Sequence, residues 1–164
     1  MTKLGLIERW FRLQHLDVEP LLTEWRWLCP GRVTLVARSA FADLFLAGDA
    51  GQVLRLDVSV GKLEKIAGLE TEFRTLLEDP ERREAWFGEK EERAFAEKGL
   101  VPNDSQGIGF NPPLVFAEKP HEPYLVDIYE HVSFLGDLNQ HIADVPDGGK
   151  IKLIVGKPPP ATDH

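Results

Sequence analysis

Between residues 33 and 66 the chain is cut by glycine-bearing turns into stretches too short for ordinary helices and rich in residues that suit strands. Val33, Leu35 and Ala37 alternate with Thr34, Val36 and Arg38. Leu44-Phe45-Leu46 follows, then the turn Gly48-Asp49-Ala50-Gly51, the run Val53-Leu54-Arg55-Leu56-Asp57-Val58, Gly61, and Lys62-Leu63-Glu64-Lys65-Ile66. A lone short strand leaves its backbone groups unpaired, so consecutive strands joined by tight turns are expected to pair as an antiparallel meander. In the run 53–58, Leu54, Leu56 and Val58 share one face and Arg55 and Asp57 the other. One side of this sheet is therefore expected to meet solvent or a partner.

Helical spacing brackets the meander. Leu6, Ile7, Trp10, Phe11 and Leu13 predict a first helix near residues 3–15. Asp17 and Glu19-Pro20 mark the start of a second, carrying Leu21, Leu22, Trp25 and Leu28 and ending at Pro30-Gly31. Trp25 and Trp27 are two apart and cannot share one helix face, so one is expected in the core and the other at an edge or interface. Phe73, Leu76 and Leu77 predict a third helix that Asp79-Pro80 stops. Residues 81–98, dense in both charges, read as a solvated helix laced with i,i+4 pairs, or as a partner-facing charge patch.

Residues 99–123, with Gly99, Pro102, Gly107, Gly109, Pro112-Pro113, Pro120 and Pro123, read as loops around a short buried strand at 114–116. A strand at 124–128, a helix near 130–143 and a final strand at 151–155 complete the pattern. The expected fold class is α+β: a mainly antiparallel sheet packed with several helices, in one domain over residues 1–156. Residues 157–164, opening on Pro158-Pro159-Pro160, are expected to form a flexible tail.

Charge narrows the partners. Nineteen Lys and Arg stand against 27 Asp and Glu, a formal net charge of −8. A negative surface repels nucleic acid and anionic membrane and suits a basic protein. The N-terminus lacks the apolar core of a signal peptide, and no apolar run approaches the ~20 residues that span a bilayer. A cytoplasmic location is expected.

Residues that carry chemistry are present but unassembled. Cys29 is the only cysteine, follows Trp27-Leu28 and is expected to be a buried, inert thiol. His131 and His141 are ten apart, on different faces of the last helix, so no metal site is expected. His131 reads as a helix N-terminal or partly buried polar group. Asp127 and Glu130 flank the strand-to-helix junction, yet paired carboxylates act as acid and base only where burial splits their pKa values. Gly107-Ile108-Gly109-Phe110 lacks the spacing and following helix of a phosphate loop. No nucleophile elbow, P-loop, Cys-x-x-Cys or dinucleotide fingerprint occurs. The expectation is a non-catalytic chain that needs no cofactor.

Phe41-Ala42-Asp43-Leu44-Phe45-Leu46, Gly51-Gln52-Val53, Leu56-Asp57, Gly61-Lys62-Leu63 and Lys65-Ile66-Ala67 form an ordered set. It continues through Glu72-Phe73, Trp86-Phe87, Gly109-Phe110, Pro112-Pro113-Leu114 and Tyr129-Glu130-His131 with Gly136. Over about residues 3–152 this set resembles a bacterial domain of formerly unknown function. That domain is associated with the C-terminal part of type VI secretion immunity proteins, which neutralise DNase toxins. It is also similar to the broad Smi/Knr-type immunity superfamily. The family often has glycine where Ala42 stands. The resemblance implies an immunity-type protein-binding domain and supplies no catalytic residues.

The candidate partner surface joins the exposed face of the meander (Arg55, Asp57, Glu64) to the irregular loops bearing Gly109, Phe110 and Glu118. Its partner is expected to be a protein, a basic nuclease toxin in the immunity reading. Two alternatives stand beside it. One is a housekeeping scaffold, a homodimer through aromatic edges. The other is a small ligand binder or enzyme with a pocket near residues 105–123, whose sign would be a deep cleft and a perturbed carboxylate or His131.

Overall fold

A computed structural model describes residues 5–145. The expected strand at 151–155 and the tail at 157–164 lie outside the described residues. The fold is α+β. Four strands, β1 (Thr34–Arg38), β2 (Leu44–Ala47), β3 (Val53–Asp57) and β4 (Lys62–Ala67), form an antiparallel sheet in that order. The turns follow from their residues. Gly51 at φ 84 and Gly61 at φ 72 take the left-handed region that glycine enters cheaply. Gly48 N–H donates to the Gln52 carbonyl at 2.9 Å, and Asp57 Oδ1 caps Ser59 N–H at 3.1 Å.

Both faces of this sheet are covered. Leu44, Leu46, Leu56 and Val58 pack with Leu21, Leu22, Trp25, Ile128, Val132 and Leu135. Their cover is α1 (Val18–Leu22), a 3-10 turn (Thr23–Trp25) and α5 (Ile128–Ala143). On the opposite face Phe45 stacks on Phe87 at 4.6 Å and on Phe73 at 5.2 Å, within a cluster holding Ile7, Trp10, Val53 and Leu77. An N-terminal 3-10 helix (Gly5–Phe11), α2 (Glu70–Leu76) and α3 (Pro80–Phe87) carry that side. The sheet face expected to meet solvent or a partner is thus closed. The alternation of Arg55 and Asp57 was outweighed by aromatic rings arriving from distant helices.

The helices hold where capping is local. Asp17 accepts Glu19 N–H, Asp79 accepts Glu81 N–H with Pro80 beginning α3, and Asp127 accepts Glu130 N–H. Two expected helices depart from α geometry. The helix expected at 3–15 is a 3-10 helix over Gly5–Phe11, and the second helix tightens to 3-10 after Leu22. Where that turn runs on past Trp25, Trp25 and Trp27 stack at 5.8 Å, although two residues apart on a regular helix would diverge. Trp25 is fully buried and donates to the Val132 carbonyl at 2.8 Å.

The charged stretch 81–98 is two helices. Gly88 at φ 64 ends α3 before α4 (Glu89–Glu97). Nor is it simply solvated. Glu92 is buried and accepts Trp10 Nε1–H at 3.0 Å, and buried Glu89 pairs with Arg83 at 3.1 Å.

Gly107–Phe110, read as loop, lies inside strand β5 (Gln106–Asn111), which pairs antiparallel with β6 (Glu122–Asp127). The strand expected at 114–116 is instead a turn in which Phe116 N–H donates to the Pro113 carbonyl at 3.0 Å. Ile108 N–H donates to the Ala40 carbonyl at 2.8 Å and ties this hairpin to the turn before β2. Glycines serve this strand because neighbours come close. An added Cβ on Gly107 would lie 3.4 Å from both Ala40 O and Ala42 Cβ.

Gly136 has a comparable role in α5. A Cβ there would lie 2.6 Å from the Glu24 carbonyl oxygen. Helix propensity favours Gly136→Ala by about 1 kcal/mol. Separating two packed backbones costs typically 1–3 kcal/mol, more when neither can move. Urea denaturation is expected to show the variant less stable than its parent by about 1–2 kcal/mol. A stabilised variant would mean that α5 and the Thr23–Trp25 turn are not in tight register.

Among the described residues, no helix is long and apolar enough to cross a membrane.

Candidate functional site

The six sequence candidates fall into three places. Arg55, Asp57 and Glu64 come together on neighbouring strands, since Arg55 pairs with Glu64 in the β3–β4 register. They do not form an open patch. Arg55 lies 2.7 Å from Asp43 Oδ2, 3.6 Å from Asp57 and 3.7 Å from Glu64. Asp43 is buried and also accepts Val58 N–H at 3.2 Å. Burial, with repulsion from Asp57, pushes the Asp43 carboxyl up to about 7 despite the guanidinium beside it. Arg55 Nε is buried with no hydrogen-bond partner among the described residues. This cluster joins the 39–43 turn to the end of β3. That turn needs the help: Ala42 sits at φ 74, a conformation unfavourable for a residue with a Cβ. Ser39 Oγ accepts both Phe41 N–H and Asp43 N–H there.

A second buried charge braces the loop at 103–105. Arg38 is fully buried and lies 4.1 Å over the Trp10 ring. It donates to the carbonyls of Asn103 and Asp104 at 3.2 and 3.0 Å. Burial lowers its pKa to about 9. His15 donates to the same Asp104 carbonyl at 2.6 Å. The terminal nitrogens of Arg38 bond backbone carbonyls and tie the 103–105 loop to β1, while its Nε is buried without a hydrogen-bond partner among the described residues.

Gly109 and Phe110 lie beside a small pocket that has exposed apolar side chains at its rim and the buried His131 at its wall. Phe110 is half-buried, stacked on Phe41 at 6.2 Å and near Phe95 at 6.0 Å. Beside it opens a shallow pocket of about 20 Å³, walled by Ile108, Phe110, Phe134, Leu135, Ser59 and His131 and rimmed by Leu114 and Tyr124. Leu114 and Tyr124 are 44% and 40% exposed. Val60, 53% exposed, adjoins Ser59 in the β3–β4 turn. Glu118 is exposed on the loop that follows Leu114 and does not line the pocket. His121 donates to the Pro112 carbonyl at 2.7 Å and closes that loop.

His131 lies at the pocket wall, 7% exposed. Its Nδ1 has no hydrogen-bond partner among the described residues. Burial pushes its pKa down to about 4, so the ring is neutral near pH 7. An added Cβ on Gly109 would lie 3.2 Å from His131 Nδ1 and 3.2 Å from Tyr124 Cζ. The bare backbone of Gly109 is what lets these two rings flank one spot.

Sequence reasoning missed Asp43, Tyr124, Phe134 and Ser59. His131, expected as a helix N-terminal or partly buried polar group and as the sign of a pocket near residues 105–123, lies in the first turn of α5 at the wall of a pocket lined by Ile108, Phe110, Pro113 and Leu114. Tyr124 was legible only through its strand partner Gly109, a pairing that depends on a strand read as loop. Cys29 is buried, which raises its thiol pKa above the ordinary value. Among the described residues, no group of three or more His, Cys, Asp or Glu side chains is disposed to hold a metal ion. Comparisons with protein-family models, with curated proteins and with solved structures each return no match.

Proposed function

We propose that this chain is a non-catalytic protein-binding domain of the immunity type, which neutralises a basic secreted nuclease by occupying it. The observation that carries the reading is the half-exposed pair Leu114 and Tyr124 above the pocket, on a chain of net charge −8. Exposed aromatic and aliphatic side chains around a dimple are where anchoring energy concentrates in protein interfaces. A negative field raises the encounter rate with a basic surface and disfavours acidic competitors. The binding face proposed is the hairpin and α5 side, in place of the meander face. There the ion cluster already occupies Arg55, Asp57 and Glu64.

A ligand-binding reading draws on His131, yet about 20 Å³ holds a single water-sized group. Small-molecule sites run to roughly 300–1,000 Å³. The homodimer reading gains no specific observation.

The test begins with the neighbouring gene, which is expected to encode a secreted nuclease. Equimolar chain is expected to abolish plasmid cleavage by that nuclease, and Tyr124→Lys to restore it at least about tenfold. A neighbouring nuclease that cleaves undiminished in the presence of excess chain, or a neighbouring gene of another kind, would end the reading.

A further inference from the structure

We infer that β6 presents an open sheet edge that takes up one extended, basic segment of the protein partner as an added strand. The inference rests on the protein-binding reading above and specifies how the partner docks.

The direction of the backbone groups comes first. In an antiparallel pair, opposed residues alternate between those that exchange both backbone bonds and those that turn both groups away. Ile108 stands opposite Leu125, and Gln106 opposite Asp127. Ile108 N–H donates to the Ala40 carbonyl at 2.8 Å and Gln106 N–H to the Asn103 carbonyl at 3.1 Å, both away from β6. These are therefore pairs that turn away, and by the same alternation so is Phe110 with Pro123. Ile128 N–H, one place on, donates back to the Ser105 carbonyl at 2.9 Å, as the alternation requires. On β6 the N–H and C=O of Leu125, the N–H of Asp127 and the C=O of Pro123 consequently point off the far edge.

Among the described residues, nothing meets them there. β5 and β6 form a two-stranded sheet, and no hydrogen bond from elsewhere in the described fold reaches the backbone of Leu125, Asp127 or Pro123. Buried backbone groups are almost always paired, so these unpaired ones face water. None of the six residues of β6 is buried, whereas Gly107, Ile108 and Gly109 of β5 are. Pro123 agrees, because proline within a sheet is confined to places where the missing N–H faces out from an edge.

Charge selects the occupant. An antiparallel strand set against this edge exchanges two bonds with Leu125, accepts from Asp127 and donates to Pro123, which takes about five residues. Glu122 and Asp127 stand exposed at the two ends of β6, and exposed Glu130 follows in the first turn of α5. Tyr124, 40% exposed, and half-buried Val126 share the face of Glu122 and give the added strand apolar neighbours between its ends. Lysine or arginine near each end of the added segment complements the carboxylates. A second copy of this chain would instead set Glu122 and Asp127 of both copies along one seam, on two bodies each of net charge −8.

The experiment uses the whole ¹⁵N-labelled chain, observed by NMR at pH 7. In the free chain the Leu125 amide is expected to exchange with solvent about tenfold or more faster than those of Tyr124 and Val126, which bond to β5. The probe is acetyl-Lys-Val-Thr-Val-Thr-Lys-amide, whose lysines fall opposite Asp127 and Glu122 when its first threonine meets Leu125. It is expected to shift the Leu125 and Asp127 amides saturably. N-methylation of the first threonine removes the N–H that faces Leu125 and should weaken binding about fivefold or more, whereas N-methylation of the second valine, whose N–H points away, should leave it within about twofold. Glutamate in place of both lysines is expected to weaken binding, and added salt to narrow that gap. A Leu125 amide as protected as its neighbours in the free chain, no saturable shift at Leu125 and Asp127, equal binding of the two methylated peptides, or equal binding of the lysine and glutamate peptides overturns the inference. So does dimerisation of the free chain that protects Leu125, which would make the occupant a second copy. None of these results touches nuclease inhibition, which stands or falls on plasmid cleavage.

Discussion

Asp43→Ala is expected to lower the unfolding free energy by about 3–5 kcal/mol, the usual consequence of removing one partner from a buried ion pair. The carboxylate holds three things together: Arg55 at 2.7 Å, Val58 N–H at 3.2 Å, and the 39–43 turn in which Ala42 is left-handed. Without it, Arg55 keeps only Asp57 and Glu64, at 3.6 and 3.7 Å, and Val58 N–H loses its acceptor. At roughly 2–4 °C per kcal/mol for a chain of this size, the midpoint should fall by roughly 6–20 °C. Asp43→Asn separates charge from hydrogen bonding, because its carbonyl oxygen still accepts from Val58. It is expected to lose well under half as much, because burial already favours an uncharged group at this position. Urea and thermal denaturation at pH 7 measure both. An alanine variant within about 1 kcal/mol of the parent would mean that the cluster is ornamental to the fold.

The second large effect is a pair of opposed pH dependences. Asp43 is pushed up to about 7 from an ordinary 3.8. The folded chain therefore takes up a proton there before the unfolded chain does. That contribution favours folding at low pH and is lost as pH rises from about 4 through 7. His131 is pushed down to about 4 from 6.5. Here the unfolded chain takes up the proton first. That contribution is present above 6.5 and is lost as pH falls toward 4. Across pH 4 to 6.5 the two oppose each other, and the parent's stability reflects their difference. Removing His131 leaves Asp43 unopposed. His131→Leu should gain about 3 kcal/mol relative to the parent between pH 7 and 4, from 2.5 pH units at 1.36 kcal/mol each. Asp43→Asn should drift the other way over the same range. Urea curves at pH 7 and 4.5 for the three proteins settle both signs. Parallel pH profiles for parent and His131→Leu would show that His131 is not held neutral by burial.

Much of the fold was legible because its causes are local. Glycine turns at 48–51 and 61 delimit the meander, and its antiparallel order follows from loops too short for any other connection. Asp17, Asp79 and Asp127 announce helix starts through bonds to their own neighbours two or three residues on. The misreadings share a different origin. Gly107–Phe110 becomes a strand only because β6 pairs with it and because Ala40, Ala42, His131 and Tyr124 crowd its bare backbone. Leu114-Val115-Phe116 has strand-like residues and, among the described residues, no strand pairs with it. Gly88 inside a charge-rich run was passed over as a helix break because the run's composition suits a helix throughout.

The candidate site divides in the same way. Gly109 and Phe110 were singled out, and the structure brings them to the His131 pocket. Arg55, Asp57 and Glu64 were read as an open face, and the structure draws Arg55 to Asp43 with Asp57 and Glu64 around its guanidinium. Alternation along one strand reports which side a residue faces, but not what later segments bring against that side. The amino-acid order on its own determined the strand meander, the helix starts, the buried cysteine and the acidic balance, since each depends on residues within a few positions. Tertiary structure alone decided which charges are buried, which glycines admit neighbouring rings and which apolar residues stay exposed. Those outcomes turn on contacts such as Trp10 with Glu92 and Arg38 with Asp104, across 82 and 66 residues. No short window of sequence contains both partners, and the free energy of a buried charge is set by the partner.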